Sequence, residues 1–234
     1  MTAAATPGED DRTVIECDVV LFDLDGTLVD STPVVDRIWS DLARRLGRRP
    51  EDVIGRFHGM QAGAALREVD PTLSDDEVDE LRAWVIDEEL RDLSGIRPIP
   101  GAPRLLEQLP VDAWGVVTSC PRGLALARLD AAALPVPAVM VTADDVADGK
   151  PHPAPFALGA ALMGADPSRV LAVEDAPAGI ASAQAAGCSV LGLLTTHRQL
   201  PIRAIDDLRH LRLDRVGDGL LLTIPGEVDD RRPR

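Results

Sequence analysis

The chain predicts an α/β fold, a Rossmann-like parallel-sheet core with a small α-helical domain inserted into it. Three observations lead there. Short apolar runs at 17–22, 114–119, 136–142, 169–175 and 189–195 have the length and β-branched content of buried strands. Segments with helical spacing separate the later runs, at 124–134, 155–163 and 178–186, so the connections are β-α-β units and the sheet is parallel. Between residue 30 and about residue 96 no strand pattern occurs at all, and that stretch reads as helical.

Taken in order, residues 1–13 are polar and aperiodic and predict a loose tail. The run CDVVLF (17–22) predicts the first buried strand, and it ends in the charged turn DLDGT. Thr32-Pro33 marks a helix start, with Thr32 as N-cap and Pro33 in the first turn. Val34, Val35, Ile38, Trp39, Leu42 and Leu46 follow at helical spacing, and Gly47 provides a stop. Ser74 with Glu77 fits a capping box ahead of a long helix whose apolar face holds Val78, Leu81, Val85 and Leu93. RPIPG (97–101) is a linker, and 104–109 is helical. The division expected is an α/β core of residues 14–30 and 98–225, a helical insert of 31–97, and flexible tails at 1–13 and 226–234.

Composition narrows the function. Hydrophobic residues make up 45% of the 234, enough for a buried core. No apolar run approaches the ~20 residues needed to span a bilayer, and the N-terminus lacks the pattern of a signal peptide, so a cytoplasmic location is expected. The formal net charge of −15 argues against nucleic acid and membrane surfaces as partners, since both are polyanions. It also means that any phosphate site has to be locally positive. Cys17, Cys120 and Cys188 are odd in number and widely spaced, so reduced thiols are expected rather than disulfides or a zinc site. Lys150 is the only lysine; every other cationic side chain of this class is arginine. A lysine kept alone is either chance or a position where a compact ammonium is needed and a planar guanidinium does not serve.

The candidate chemistry lies at strand ends, where open α/β sheets bind ligands. Asp23 and Asp25 close the first run, and extended geometry would put both carboxylates on one face. Glu174 and Asp175 close another run. Four carboxylates at neighbouring strand ends cannot all stay ionised without a proton or a hard cation among them, and oxygen ligands of this kind suit Mg²⁺. Thr118 and Ser119 end the run WGVVTS and offer hydroxyl and backbone donors to phosphate oxygens. Lys150 lies in the loop DGKPHP at the same edge.

The motifs DLDGT (23–27), VVTS (116–119), GKPHP (149–153) and EDAPAGIASAQAAG (174–187) stand in the order of the haloacid dehalogenase-like hydrolase superfamily. The chain resembles that family from about Asp18 to His197. It is similar to the small sugar and polyol phosphatases, a branch that LLTTH (193–197) and HGM (58–60) support, and β-phosphoglucomutase shares the same motifs. The resemblance implies a nucleophile at Asp23 that forms an aspartyl-phosphate, a general acid and base at Asp25, and a phosphoryl-oxygen contact from Thr118. Lys150 would balance charge on Asp23 and the phosphate. Mg²⁺ would be held by Asp23, Asp175 and the backbone carbonyl of Asp25, with Glu174 assisting directly or through water. The helical insert would be a cap over the site, with His58 and Gln61 touching substrate. Relatives of this branch commonly carry an arginine soon after HG, whereas Met60 and Gln61 stand there here.

The function expected is hydrolysis of a small phosphorylated metabolite, a sugar or polyol phosphomonoester. The alternatives are a phosphomutase, which passes through the same Asp23 intermediate, and a non-catalytic binding module on the same fold. Intact Asp23, Asp25, Lys150 and Asp175 speak against the last. Phosphonatase chemistry needs a cap lysine, and the insert has none. The sequence sets no oligomeric state.

Overall fold

The apolar run at 17–22 is divided between two sheets. The computed structural model describes residues 13–57, 59–217 and 219–224. In it, β1 (Thr13–Cys17) and β2 (Val19–Phe22) separate at Asp18. The Asp18 carboxylate accepts from Arg169 at 2.6 Å and its N–H donates to the Arg169 carbonyl, which turns the chain from one sheet into the other. Thr13, assigned above to a tail, is the first residue of β1 and pairs with Ile224. Residues 1–12 and 225–234, where the rest of the tails was placed, lie outside the described residues.

The main sheet is parallel throughout, as the α/β pattern requires. Its order is β6 (Val139–Val141), β5 (Trp114–Val117), β2, β7 (Val170–Glu174), β8 (Ser189–Leu193) and β9 (Ala204–Ile205). Both faces are covered, so its central strands are apolar at nearly every position. Val20 and Phe22 face α4 (Ala102–Gln108) and α5 (Arg122–Ala131), packing with Leu105, Leu124 and Leu129. Val19 and Leu21 face α6 (Ala154–Leu162) and α7 (Pro177–Ala185), packing with Phe156, Ala160 and Ala183. The period of two along β2 sorts its side chains between these two layers.

A second sheet is not legible in the sequence. β1, β11 (Gly219–Ile224) and β10 (Arg212–Val216) form an antiparallel unit. Leu220, Leu222 and Ile224 alternate inward and join the core on the α4 side. The alternation is present in the chain, but the strand β1 that pairs with it lies at the opposite end of the sequence.

The insert leaves and re-enters the core through a short antiparallel pair, β3 (Val29–Asp30) and β4 (Arg97–Pro98). Between them stand α1 (Thr32–Arg45), α2 (Ala62–Val69) and α3 (Asp75–Arg91). They bury an apolar cluster of their own, with Ile38, Trp39, Leu42, Leu66, Val78 and Val85 at its centre. The capping box of α3 forms: the Glu77 N–H donates to Ser74 Oγ at 3.3 Å, and the Ser74 N–H to Glu77 Oε2 at 2.9 Å. Two local expectations are corrected. The N-cap of α1 is Ser31, not Thr32, and its hydroxyl donates to Asp25 at 2.7 Å instead of capping the helix. Helix α3 stops at Arg91, so Leu93 lies beyond it, and the stripe Val78, Leu81, Val85 continues to buried Glu89. Among the described residues no helix is long and apolar enough to cross a membrane.

Candidate active site

The chain leaves β2 for β5 and β6 on one side of the sheet, then crosses to β7, β8 and β9 on the other. The switch between β2 and β7 opens a crevice at their carboxyl ends, the usual ligand position in such sheets. Asp23 follows β2, and Glu174-Asp175 closes β7, so the parallel register Phe22 with Val173 sets these acids side by side.

Lys150 sits in the middle of them. Its Nζ donates to Asp23 Oδ1 at 2.6 Å, to Glu174 Oε1 at 2.6 Å and to the Val117 carbonyl at 2.9 Å. The ammonium also stands 5.2 Å from the centre of the Phe156 ring. Burial works against its charge, but the Asp23 and Glu174 carboxylates outweigh burial and hold its pKa above the ordinary lysine value. Glu174 Oε2 accepts from the N–H groups of Asp175 and Ala176 at 3.0 and 3.1 Å, so both of its oxygens are engaged. The first turn of α7 closes on Glu174 at Gly179, where a Cβ would stand 1.6 Å from Oε1.

Asp175 accepts from two hydroxyls, Thr27 at 3.2 Å and Thr196 at 2.5 Å. Gly26, at φ +89°, lies so close that a Cβ would be 2.1 Å from Asp175 Oδ2. Oxygens of Asp23, Glu174 and Asp175 all come within 4.8 Å of one another. One ammonium stands among three buried carboxylates and pairs with two of them, Asp23 and Glu174. Burial and the neighbouring Glu174 push Asp175 up to about 7. Burial likewise raises Asp23 well above the usual carboxylate range, against the pull of Lys150 and with Glu174 and Asp175 adding to the rise. The cluster is short of positive charge, and its all-oxygen donor set fits a hard divalent cation.

Asp25 takes different partners. Strand geometry ends at Phe22, and the turn through Gly26 sends the Asp25 side chain toward α5 rather than toward Lys150. Its Oδ1 accepts from Ser31, and its Oδ2 from Arg128 at 2.6 Å. Asp23 and Asp25 therefore share a cavity but not a hydrogen-bond network, contrary to the single face expected from the motif. Asp25 adds no carboxylate to the three-acid cluster.

Thr118 is buried at the end of β5; its hydroxyl accepts from the Cys120 N–H at 3.2 Å and its own N–H is bound to the Val141 carbonyl. Ser119 turns its hydroxyl to the Gly59 carbonyl of the insert at 2.8 Å, so that group ties the insert to the core. Gln61 lies against Gly149, where a Cβ would stand 2.6 Å from its side chain, and so reaches the loop that carries Lys150. His58 lies outside the described residues. The three cysteines are buried and free, and burial pushes the Cys120 thiol up to about 12.

Asp23, Asp25, Thr118 and Ser119 open into a cavity of about 510 Å³ between core and insert. Its far walls are apolar at Trp39 and Phe57 and cationic at Arg67 and Arg82. Thr27 and Thr196 lie within the quoted stretches DLDGT and LLTTH, where no role is assigned to them; the motifs contain neither Arg128 nor Glu89 nor Ser31, which the structure adds to the site. A signal exists for two of them: Arg128 and Glu89 each sit four residues after a buried apolar residue, Leu124 and Val85, on the inward stripe of a helix.

The fold and this arrangement of acids and lysine define a hydrolase of the haloacid dehalogenase class. The haloacid dehalogenase-like hydrolase family matches residues 17–187, and the chain belongs to it. Hexitol phosphatase A of Escherichia coli strain K12 is 44% identical over 181 residues, covering 76% of this chain and 84% of that protein. Glycerol-1-phosphate phosphohydrolase 1 of Saccharomyces cerevisiae is 35% identical over 196 residues, covering 78% and 76%. Among solved structures, a hydrolase from Pseudomonas syringae superposes with a TM-score of 0.75 at 27% identity, covering 82% of this chain and 94% of that one.

Proposed function

We propose that this phosphomonoester hydrolase removes phosphate from a small phosphorylated sugar or polyol through an aspartyl-phosphate on Asp23, with Mg²⁺ as cofactor. The observation that carries the reading is Asp23 itself: a strand-end carboxylate, held by Lys150 at 2.6 Å, on the floor of a cavity that also exposes Asp25 and Thr118. The polyol phosphates named for the two relatives support the substrate class.

In the first step an Asp23 oxygen forms a bond to phosphorus, the bond from phosphorus to the alcohol oxygen breaks, and Asp25 gives its proton to that oxygen. In the second, water attacks phosphorus and passes a proton to Asp25. The Asp23–phosphorus bond breaks, and inorganic phosphate leaves with Asp25 reset. Lys150 and the Thr118 hydroxyl offset charge on the phosphoryl oxygens. Asp23, Asp175 and the backbone carbonyl of Asp25 would hold Mg²⁺, and Glu174, whose oxygens are engaged, would support it by fixing Lys150 and through water. The cation supplies neutralisation of the phosphoryl charge. Residues 31–97 act as the cap over a core of 14–30 and 98–225, excluding water and contacting the alcohol with Gln61 and His58.

The test is hydrolysis of p-nitrophenyl phosphate with Mg²⁺, then of a panel of hexitol, glycerol and sugar phosphates, with acid-quench trapping of labelled phosphate on the protein. Release of phosphate from polyol or sugar esters and label on Asp23 are expected. A protein that hydrolyses no phosphomonoester with Mg²⁺ overturns the reading.

A further inference from the structure

We propose that Arg128 is a positioning residue: it holds the Asp25 carboxylate in place over the cavity and, through Glu89, makes that placement depend on helix α3 being seated on the core. The inference rests on the reading of Asp25 as the proton-transferring group.

Arg128 is carried by α5, one turn after Leu124, and its side chain is 4% exposed. Its two terminal nitrogens serve two carboxylates from different parts of the chain. Nη1 donates to Asp25 Oδ2 at 2.6 Å, and Nη2 donates to Glu89 Oε2 at 2.9 Å. Glu89 belongs to α3 of the insert, which packs on α5. Burial pushes the Glu89 carboxyl above the ordinary value against the pull of Arg128. Asp25 is thus gripped at both oxygens, by Ser31 at the start of the insert and by Arg128 from the core.

Packing does not account for this arrangement. A guanidinium and a carboxylate buried between helices gain little over apolar side chains of the same volume. Arg128 Nε, moreover, is buried without a hydrogen-bond partner, which a site selected for stability alone would avoid. What the guanidinium does provide is a planar fork that fixes one carboxylate relative to another, which a lysine ammonium does not. Because the second carboxylate sits on the insert, Arg128 keeps both anchors only while α3 is docked. Proton transfer at Asp25 is thereby tied to the closed arrangement of insert and core, in which the substrate is enclosed.

The test separates this role from simple support of the fold. Arg128→Met combined with Glu89→Leu removes both charges together, so the Arg128–Glu89 pair leaves neither of its own charges stranded, and a retained melting temperature confirms folding. In this variant kcat for glycerol phosphate should fall at least ~30-fold, a part of the ~10²–10⁴ that general acid–base catalysis contributes. p-Nitrophenyl phosphate has a leaving group that needs no proton. Its first turnover should stay fast and give a burst of one p-nitrophenolate per enzyme before a slow steady state limited by dephosphorylation of Asp23. Glu89→Gln, which keeps size and shape, should show the same pattern more weakly, and Arg128→Lys should not restore the wild-type rate. Should the double variant fail to fold, Glu89→Gln carries the comparison alone. Rates within about threefold of wild type on both substrates, or equal losses with no burst, overturn the positioning role. Wild-type behaviour of Glu89→Gln overturns the link to α3. A wild-type enzyme inactive on every phosphomonoester refutes the parent reading instead, and does so before any variant is compared.

Discussion

Two buried charge networks meet at the same cavity, and they are built in opposite ways. The first, Lys150 with Asp23, Glu174 and Asp175, lies wholly in the core. Its acids stand at the ends of adjacent parallel strands, so sheet register alone brings them together. The second, Arg128 with Asp25 and Glu89, joins a turn, a core helix and an insert helix, and no backbone pairing holds its members in register. The first network carries more negative charge than its lysine offsets and is suited to a cation and a phosphoryl group. The second has two carboxylates on one guanidinium and no comparable cluster of ligand oxygens. Both networks hold more acid than base, but only the first gathers three carboxylates around one point, whereas the second spreads its two carboxylates over separate segments joined by Arg128.

The comparison can be broken most directly at Asp23. Asp23→Asn keeps the shape but removes the proposed nucleophile and a candidate cation ligand, so turnover should vanish while the melting curve stays cooperative. Substantial residual hydrolysis in that variant would sink the covalent mechanism. Metal removal should be equally severe. EDTA-treated protein is expected to be inactive, Mg²⁺ to restore it, and Ca²⁺, with its larger and looser shell, to inhibit. Added Mg²⁺ should also raise the melting temperature of the metal-free protein. Asp175→Asn should lose that response, while Glu89→Gln should keep it. If both lose it, the two networks are not separate.

Lys150 gives the next largest effect. Its Nζ has three acceptors within 2.9 Å and no exposure, so a longer planar guanidinium has no room there. Lys150→Arg should be nearly as damaging as Lys150→Ala, with kcat down by at least ~100-fold in each, the scale of losing one electrostatic stabiliser. Lys150→Ala should also cost on the order of 3–5 kcal/mol in the absence of metal, because it strands two buried carboxylates. Near-wild-type kcat in Lys150→Arg would make the single lysine an accident of composition. The smallest effect belongs to the insert surface. Ser74→Ala removes the cap of α3 and should lower stability by ~1 kcal/mol, read from urea unfolding. Its kcat should be unchanged, since the capping box lies outside both networks; a large loss of kcat would mean that fraying at Ser74 reaches Glu89.

Much of the core network is legible in the amino-acid sequence. Apolar runs ending in DLDGT and in ED place acids at strand ends, and a lone lysine in a loop at the same edge completes the set. These are local signals, because a parallel sheet converts position along a strand into position in space. The second network is not legible as a site, although Glu89 and Arg128 are charged residues at inward positions of α3 and α5. Nothing in sequence spacing pairs residue 89 with residue 128, or either with residue 25. The same reason hides the sheet of β1, β10 and β11, whose alternation has no visible partner in the chain around it.

The sequence by itself determined the α/β class, the succession of most elements of the main sheet, the helical insert with its Ser74 cap, and the residue types of the core cluster. It did so because strand period, helix period and capping act over a few residues. The tertiary structure decided that Asp23 and Asp25 part company after Phe22, that Ser119 binds the insert and Ser31 binds Asp25, and that Glu89 reaches Arg128. Those outcomes depend on how helices from distant segments pack, and packing directions are fixed by the whole core rather than by any window of the chain.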